Sequence, residues 1–146
     1  MRTVRRIRYS TIQKNERTRR FIRNLKALEI KSDGVDFDCA SAGSEIERYC
    51  LKNDIPPRVK YRIRLVIEEI VQQQLLPHGD CFPIKIVVEY SAADQDAVVK
   101  ISYGVDIADG ENLLSYDLIK RVVSDLRYEY DPDSDISNMV TAVISN

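Results

Sequence analysis

A chain of 146 residues with 44% hydrophobic and 31% charged side chains is the size of one globular domain with a real core, and its composition is unlike that of a disordered or fibrous protein. No stretch approaches the roughly 18 uninterrupted apolar residues of a membrane helix, and charges stand where a signal peptide would be apolar, so a cytoplasmic protein with no membrane partner is expected. The formal net charge of −1 conceals an asymmetry: residues 1–31 carry 11 basic side chains against Glu16 and Glu29, and the rest of the chain carries 11 basic and 21 acidic ones.

Opposed charges of this size attract each other or attract outside partners of opposite sign. The basic stretch lacks interleaved aromatics and the remainder is acidic, which disfavours nucleic acid as the partner. Cys39, Cys50 and Cys81 are odd in number and contain no CxxC pair, so neither a disulfide framework nor a zinc site is indicated. His78 is the only histidine, which removes a multi-histidine metal site.

In chain order, Ser10 or Thr11 is placed to cap a helix running to about Leu28, with Phe21, Ile22, Leu25 and Leu28 on one stripe and arginines elsewhere. Ser32-Asp33-Gly34 breaks it, and Val35, Phe37 and Cys39 alternate with Asp36 and Asp38 as in a short strand. Ser44 with Glu47 forms a capping-box pattern for a helix lasting until Asn53-Asp54. Pro56-Pro57 resets the chain. From Val59 to Leu75 apolar residues recur at helical spacing, predicting a long helix that ends near Pro77-His78-Gly79.

The alternation of Ile84, Ile86, Val88 and Tyr90, an Asp94-Gln95-Asp96 turn, and the alternation of Val99, Ile101 and Tyr103 predict an antiparallel hairpin. A polar loop with Asp106, Asp109, Gly110 and Asn112 leads to a helix expected from about Leu114 to Asp125, with Leu118, Ile119, Val122 and Val123 inward. Strands follow at Leu126–Tyr130 and, after an Asp131-Pro132-Asp133 turn, at Asn138–Ile144. These elements predict an α+β fold: a two-layer α/β sandwich whose mixed, mostly antiparallel sheet has helices on one face. Residues 1–31 form a basic helical arm and 32–146 the domain.

The helix carrying Glu68-Glu69-Ile70-Val71-Gln72-Gln73-Gln74, ending Pro77-His78-Gly79 and preceding a hairpin, resembles the nucleotide-binding domain of the histidine-kinase-like ATPase superfamily. Within it, the likeness is to the bacterial anti-sigma-factor serine kinases and covers roughly residues 35–144, with Tyr116 to Asp125 and the strands after it similar to the closing helix and strands of that family. The resemblance implies that Glu69 stands where active members carry the general base. Gln73 replaces the asparagine that holds magnesium, and so becomes the candidate metal ligand and cofactor contact.

Active members follow the second hairpin strand with Asp-x-Gly, which binds adenine. Here Tyr103-Gly104-Val105-Asp106 stands instead, and the glycine-rich lid that wraps the phosphates is missing. Asp106 or Asp109 is then the candidate substitute for the adenine carboxylate. ATP and magnesium are the cofactors the resemblance implies, and with these motifs altered a pseudoenzyme is expected: a signal-transduction module that binds a protein partner with weak or no ATP hydrolysis. The alternative is a divergent ATP-dependent protein kinase with Glu69 as base, Gln73 on the metal and Asp106 or Asp109 on adenine. A third possibility gives the N-terminal helix a role in homo-oligomerisation or docking.

Bland readings stand beside these. Glu68 and Glu69 equally suit the solvated edge of an amphipathic helix, the three glutamines a polar helix face, and an Asp/Gly-rich loop needs no ligand. His78 suits a helix end, where the carbonyl dipole favours a positive side chain.

Overall fold

The computed structural model describes residues 27–34, 37–104 and 114–146. The N-terminal arm up to residue 26 and the loop bearing Asp106 and Asp109 lie outside them. Strand β1 spans Leu28–Ser32, helix α1 Cys39–Lys52 and helix α2 Pro57–Ile67. Helix α2 continues without a break into a π-helix, Glu68–Leu75, and a last α-helical turn, α3, Leu76–His78. Strands β2 (Ile84–Ser91) and β3 (Asp96–Tyr103) form the hairpin, and β4 (Asp125–Tyr130) and β5 (Asn138–Ile144) close the sheet. The five strands lie in the order β1-β2-β3-β5-β4, every neighbouring pair antiparallel.

The fold is therefore α+β, an antiparallel sheet packed against helices. Alternate residues of the strands face the helices: Ile84, Ile86 and Val88 of β2, Val99, Ile101 and Tyr103 of β3, and Val140, Ala142 and Ile144 of β5. They meet Ala42, Ile46 and Cys50 of α1, spaced four apart, and Val59, Ile63, Val66 and Ile67 of α2. Each fully buried isoleucine here contributes about 1.5–3 kcal/mol of hydrophobic stabilisation. Burial also pushes the Cys50 and Cys81 thiols up to about 11, which keeps them protonated.

Three expected elements are corrected. Leu28 ends no helix; Leu28–Ser32 pairs with β2, Leu28 opposite Val88 and Ile30 opposite Ile86. The run Leu28-Glu29-Ile30-Lys31 satisfies a period of two as well as it prolongs the stripe from Phe21, and the open edge of β2 decides between them. The strand expected through Phe37 and Cys39 does not form there. Asp38 accepts a hydrogen bond from the Ser41 amide at 3.1 Å and caps α1, which starts at Cys39, ahead of the Ser44/Glu47 pattern.

The helix expected from Leu114 to Asp125 is reduced to one 3₁₀ turn, Ile119–Arg121. Ile119 is fully buried and Leu118 is exposed. The Ser124 amide already donates to the Val143 carbonyl at 2.8 Å, so the chain must extend at once to enter β4.

Candidate functional site

The helix expected from Val59 to Leu75 is present, but its second half is wound wider. The Leu76 amide bonds to the Val71 carbonyl, five residues back, as a π-helix requires. Ile70 and Leu75, also five apart, are both fully buried, so the wide winding keeps the apolar side facing the sheet.

The consequence falls on the polar side. In an α-helix Glu69 and Gln73 would share a face at i, i+4. Here it is Gln74, at i+5, whose Nε2 approaches Glu69 Oε1 at 3.4 Å. Gln74 is also held from outside the helix: its Nε2 donates to the Ser115 carbonyl at 2.9 Å, and its Oε1 accepts from the Ser115 amide at 2.6 Å. The carboxamide thus behaves like one rung of a β-ladder and fastens the segment after Leu114 to the helix. Glu69 is half-buried beside it, and Gln73 is exposed. Nothing in the local pattern announces the role of Gln74; a run of three glutamines hides which one faces inward.

His78 ends the last helical turn, and Gly79, at φ 89°, terminates it in the left-handed region. Cys81 Sγ lies 3.5 Å from His78 Nδ1. Among the described residues no group of three or more His, Cys, Asp or Glu side chains is arranged to hold a metal ion, and no helix is long and apolar enough to cross a membrane.

Gly104, which follows Tyr103 where the resemblance implies Asp-x-Gly, is buried against two other segments. Its amide donates to the carbonyls of Cys81 at 3.0 Å and Pro83 at 3.2 Å, flanking the cis Phe82–Pro83 peptide. Tyr103 is fully buried in the core, so both residues have packing roles.

Two concavities lie elsewhere on the helical layer. A groove of about 50 Å³ between α1 and the π-helix is lined by Phe37, Cys39, Ile46, Arg64, Glu68 and Gln72; this volume has room for a few waters. Arg64 crosses its mouth, bonded to Glu47 at 2.7 Å and Glu68 at 3.2 Å. A broader depression of about 550 Å³ sits at the α1–α2 corner, lined among others by Leu51, Ile55, Pro57 and Lys60. Leu51 there is 81% exposed, and Tyr61, on the following helix, 64%.

Glu47 joins the two helices by accepting from Lys60 at 3.1 Å as well as from Arg64. Those two bonds, Lys60 first, hold its carboxyl below the usual range. A depressed folded-state pKa stabilises the fold above the unfolded value and is lost as pH falls through the folded one. Acid unfolding of Glu47→Gln should therefore show a shallower loss of stability below about pH 4.5 than wild type; superimposable acid limbs would show that the pair contributes nothing.

Comparison with protein-family models, with curated proteins and with solved structures returned no match.

Proposed function

We propose that this chain is a regulatory protein-interaction module, a histidine-kinase-like sandwich with weak or no ATP hydrolysis or phosphotransfer. The observation that carries the reading is the Gln74 clasp. The end of the helix that would hold base and metal is tied to the chain's own Ser115, and the amide nearest Glu69 is already engaged. Gly104 supports it, since the carbonyl oxygens of Phe82 and Asp135, 2.8 and 2.9 Å from where a Cβ would stand, account for a glycine there without a nucleotide. The partner contact is placed at the depression of the α1–α2 corner, where Leu51 stands exposed.

Calorimetric titration of the full chain with Mg-ATP is the test. Little or no heat up to millimolar nucleotide is expected, and micromolar binding would overturn the reading. Incubation with labelled ATP and a candidate partner separates the kinase alternative: transfer abolished by Glu69→Gln, with nucleotide binding kept, would establish Glu69 as the base.

A further inference from the structure

Resting on the interaction-module reading above, we propose that the α1–α2 corner takes a short acidic segment of a partner protein, one apolar side chain against Leu51 and carboxylates on Arg48, Lys52 and Arg58. Charge is spread unevenly along the chain. After residue 31 there are 11 basic side chains, and six of them fall within residues 48–64, where Asp54 is the one acid. Residues 65–146 carry five basic and 15 acidic side chains, so the corner is a basic island in an otherwise acidic stretch.

Three of the six cations are already engaged. Lys60 and Arg64 are held by Glu47 at 3.1 and 2.7 Å, and Arg62 Nη1 donates to the Ser145 carbonyl at 3.3 Å. Arg48, Lys52 and Arg58 are exposed, and none of them pairs with a carboxylate of the described residues. An anionic partner supplies what these three lack.

The cations adjoin an apolar depression. Arg48, Leu51 and Lys52 stand at i, i+3 and i+4, on one exposed side of α1. The buried Cys50 and Ile55 line the depression with Leu51, Pro56 and Pro57. Its volume of about 550 Å³ lies within the roughly 300–1,000 Å³ of concave ligand sites. The corner is also preformed, which lowers the entropy lost on docking. The Ile55 amide donates to the Cys50 carbonyl at 3.0 Å and the Lys60 amide to that of Pro56 at 2.9 Å, and the two prolines have fixed φ.

No aromatic side chain lines the depression, so a nucleobase finds nothing to stack on, and a concave site does not match a flat lipid surface. A second copy would bring its acidic side to this basic one, a head-to-tail contact that builds rings or filaments. A separate acidic segment meets neither obstacle.

Selection of short random peptides displayed on phage, with the full chain as bait, tests this. Enrichment of sequences with Asp or Glu flanking Leu, Ile or Phe is expected, and a fluorescein-labelled synthetic copy of the enriched peptide then serves as the probe. Leu51→Ser should weaken its binding about tenfold, Arg48→Glu and Arg58→Glu each about three- to tenfold, and Lys120→Glu, the same charge change at an exposed site away from the corner, less than about twofold. All four positions are exposed, so the urea midpoints should stay close to wild type. No enrichment, enrichment of basic or uncharged peptides, or affinity unmoved by Leu51→Ser or by the charge reversals would overturn the proposal. The wider reading fails by a different result, the micromolar Mg-ATP binding named above. Oligouridine or phosphatidylserine vesicles binding more tightly than the peptide, with loss in Arg48→Glu, would overturn the proposal by assigning the corner to nucleic acid or membrane. A mass in light scattering that rises with concentration and reverts in Leu51→Ser would overturn it in favour of a second copy.

Discussion

Replacing Gly104 with alanine should destabilise the fold by about 3 kcal/mol, at the upper end of ordinary overpacking penalties. A Cβ at this position would lie 2.8 Å from the Phe82 carbonyl oxygen and 2.9 Å from that of Asp135. Both are backbone atoms, so no side chain can swing aside. The Gly104 amide also holds the 81–83 segment by two hydrogen bonds, and moving that segment to make room would break them. With a urea m-value of about 1.5–2 kcal/mol/M, the unfolding midpoint should fall by roughly 1.5–2 M. Gly43→Ala is the matched control. Nothing lies within 4 Å of a Cβ there, the residue is inside α1, and alanine should stabilise by about 0.5–1 kcal/mol through helix propensity. Equal midpoints for the two variants would show that the 82 and 135 segments yield freely.

Asn138→Leu should cost about 2–3 kcal/mol, more than the lost side-chain contacts alone would suggest. Asn138 is fully buried at the start of β5. Its Oδ1 accepts from the Tyr128 hydroxyl, and its Nδ2 donates to the Tyr103 carbonyl at 3.3 Å and Ser137 Oγ at 3.2 Å. One side chain therefore links β3, β4 and β5 inside the core, where a low dielectric strengthens each bond and penalises its removal. Tyr128→Phe should cost about 1 kcal/mol, and the double variant less than the sum, because the two groups bond to each other. Additive losses in chemical denaturation would refute the coupling.

Where the period of the sequence matched one surface, the fold was legible. The β2–β3 hairpin follows from alternation, because its odd and even residues face different environments, and β5 lies at Asn138–Ile144, where the strand after the Asp131-Pro132-Asp133 turn was expected. The long helix was legible in extent, but its change of winding was not. The interval of five between Ile70 and Leu75 looks like an irregularity until the sheet beneath it is known, and this interval brings Gln74 rather than Gln73 to Glu69. The same limit explains β1, whose residues satisfy two periods at once and are decided by the edge of β2. Residues 114–125 have a helical apolar pattern, but Ser115 is tied to Gln74 at one end and Ser124 to Val143 at the other, and the chain between them forms one 3₁₀ turn, Ile119–Arg121. Glu69 and Gln73 are paired by the resemblance alone. Their neighbour Gln74 depends on Ser115, 41 residues away, a contact no local pattern encodes.

The strand order has a consequence for how the chain assembles. β4 makes no ladder with β3; among the described strands it pairs with β5, which is made after it and must slide in between. Until residues 138–144 are available, Asp125–Tyr130 has no place in the sheet, and β3 presents an unpaired edge of hydrophobic, strand-forming residues. A nascent chain released from the ribosome up to about residue 130 would thus expose a sticky border that β5 seals by inserting between β3 and β4 rather than by adding to an edge.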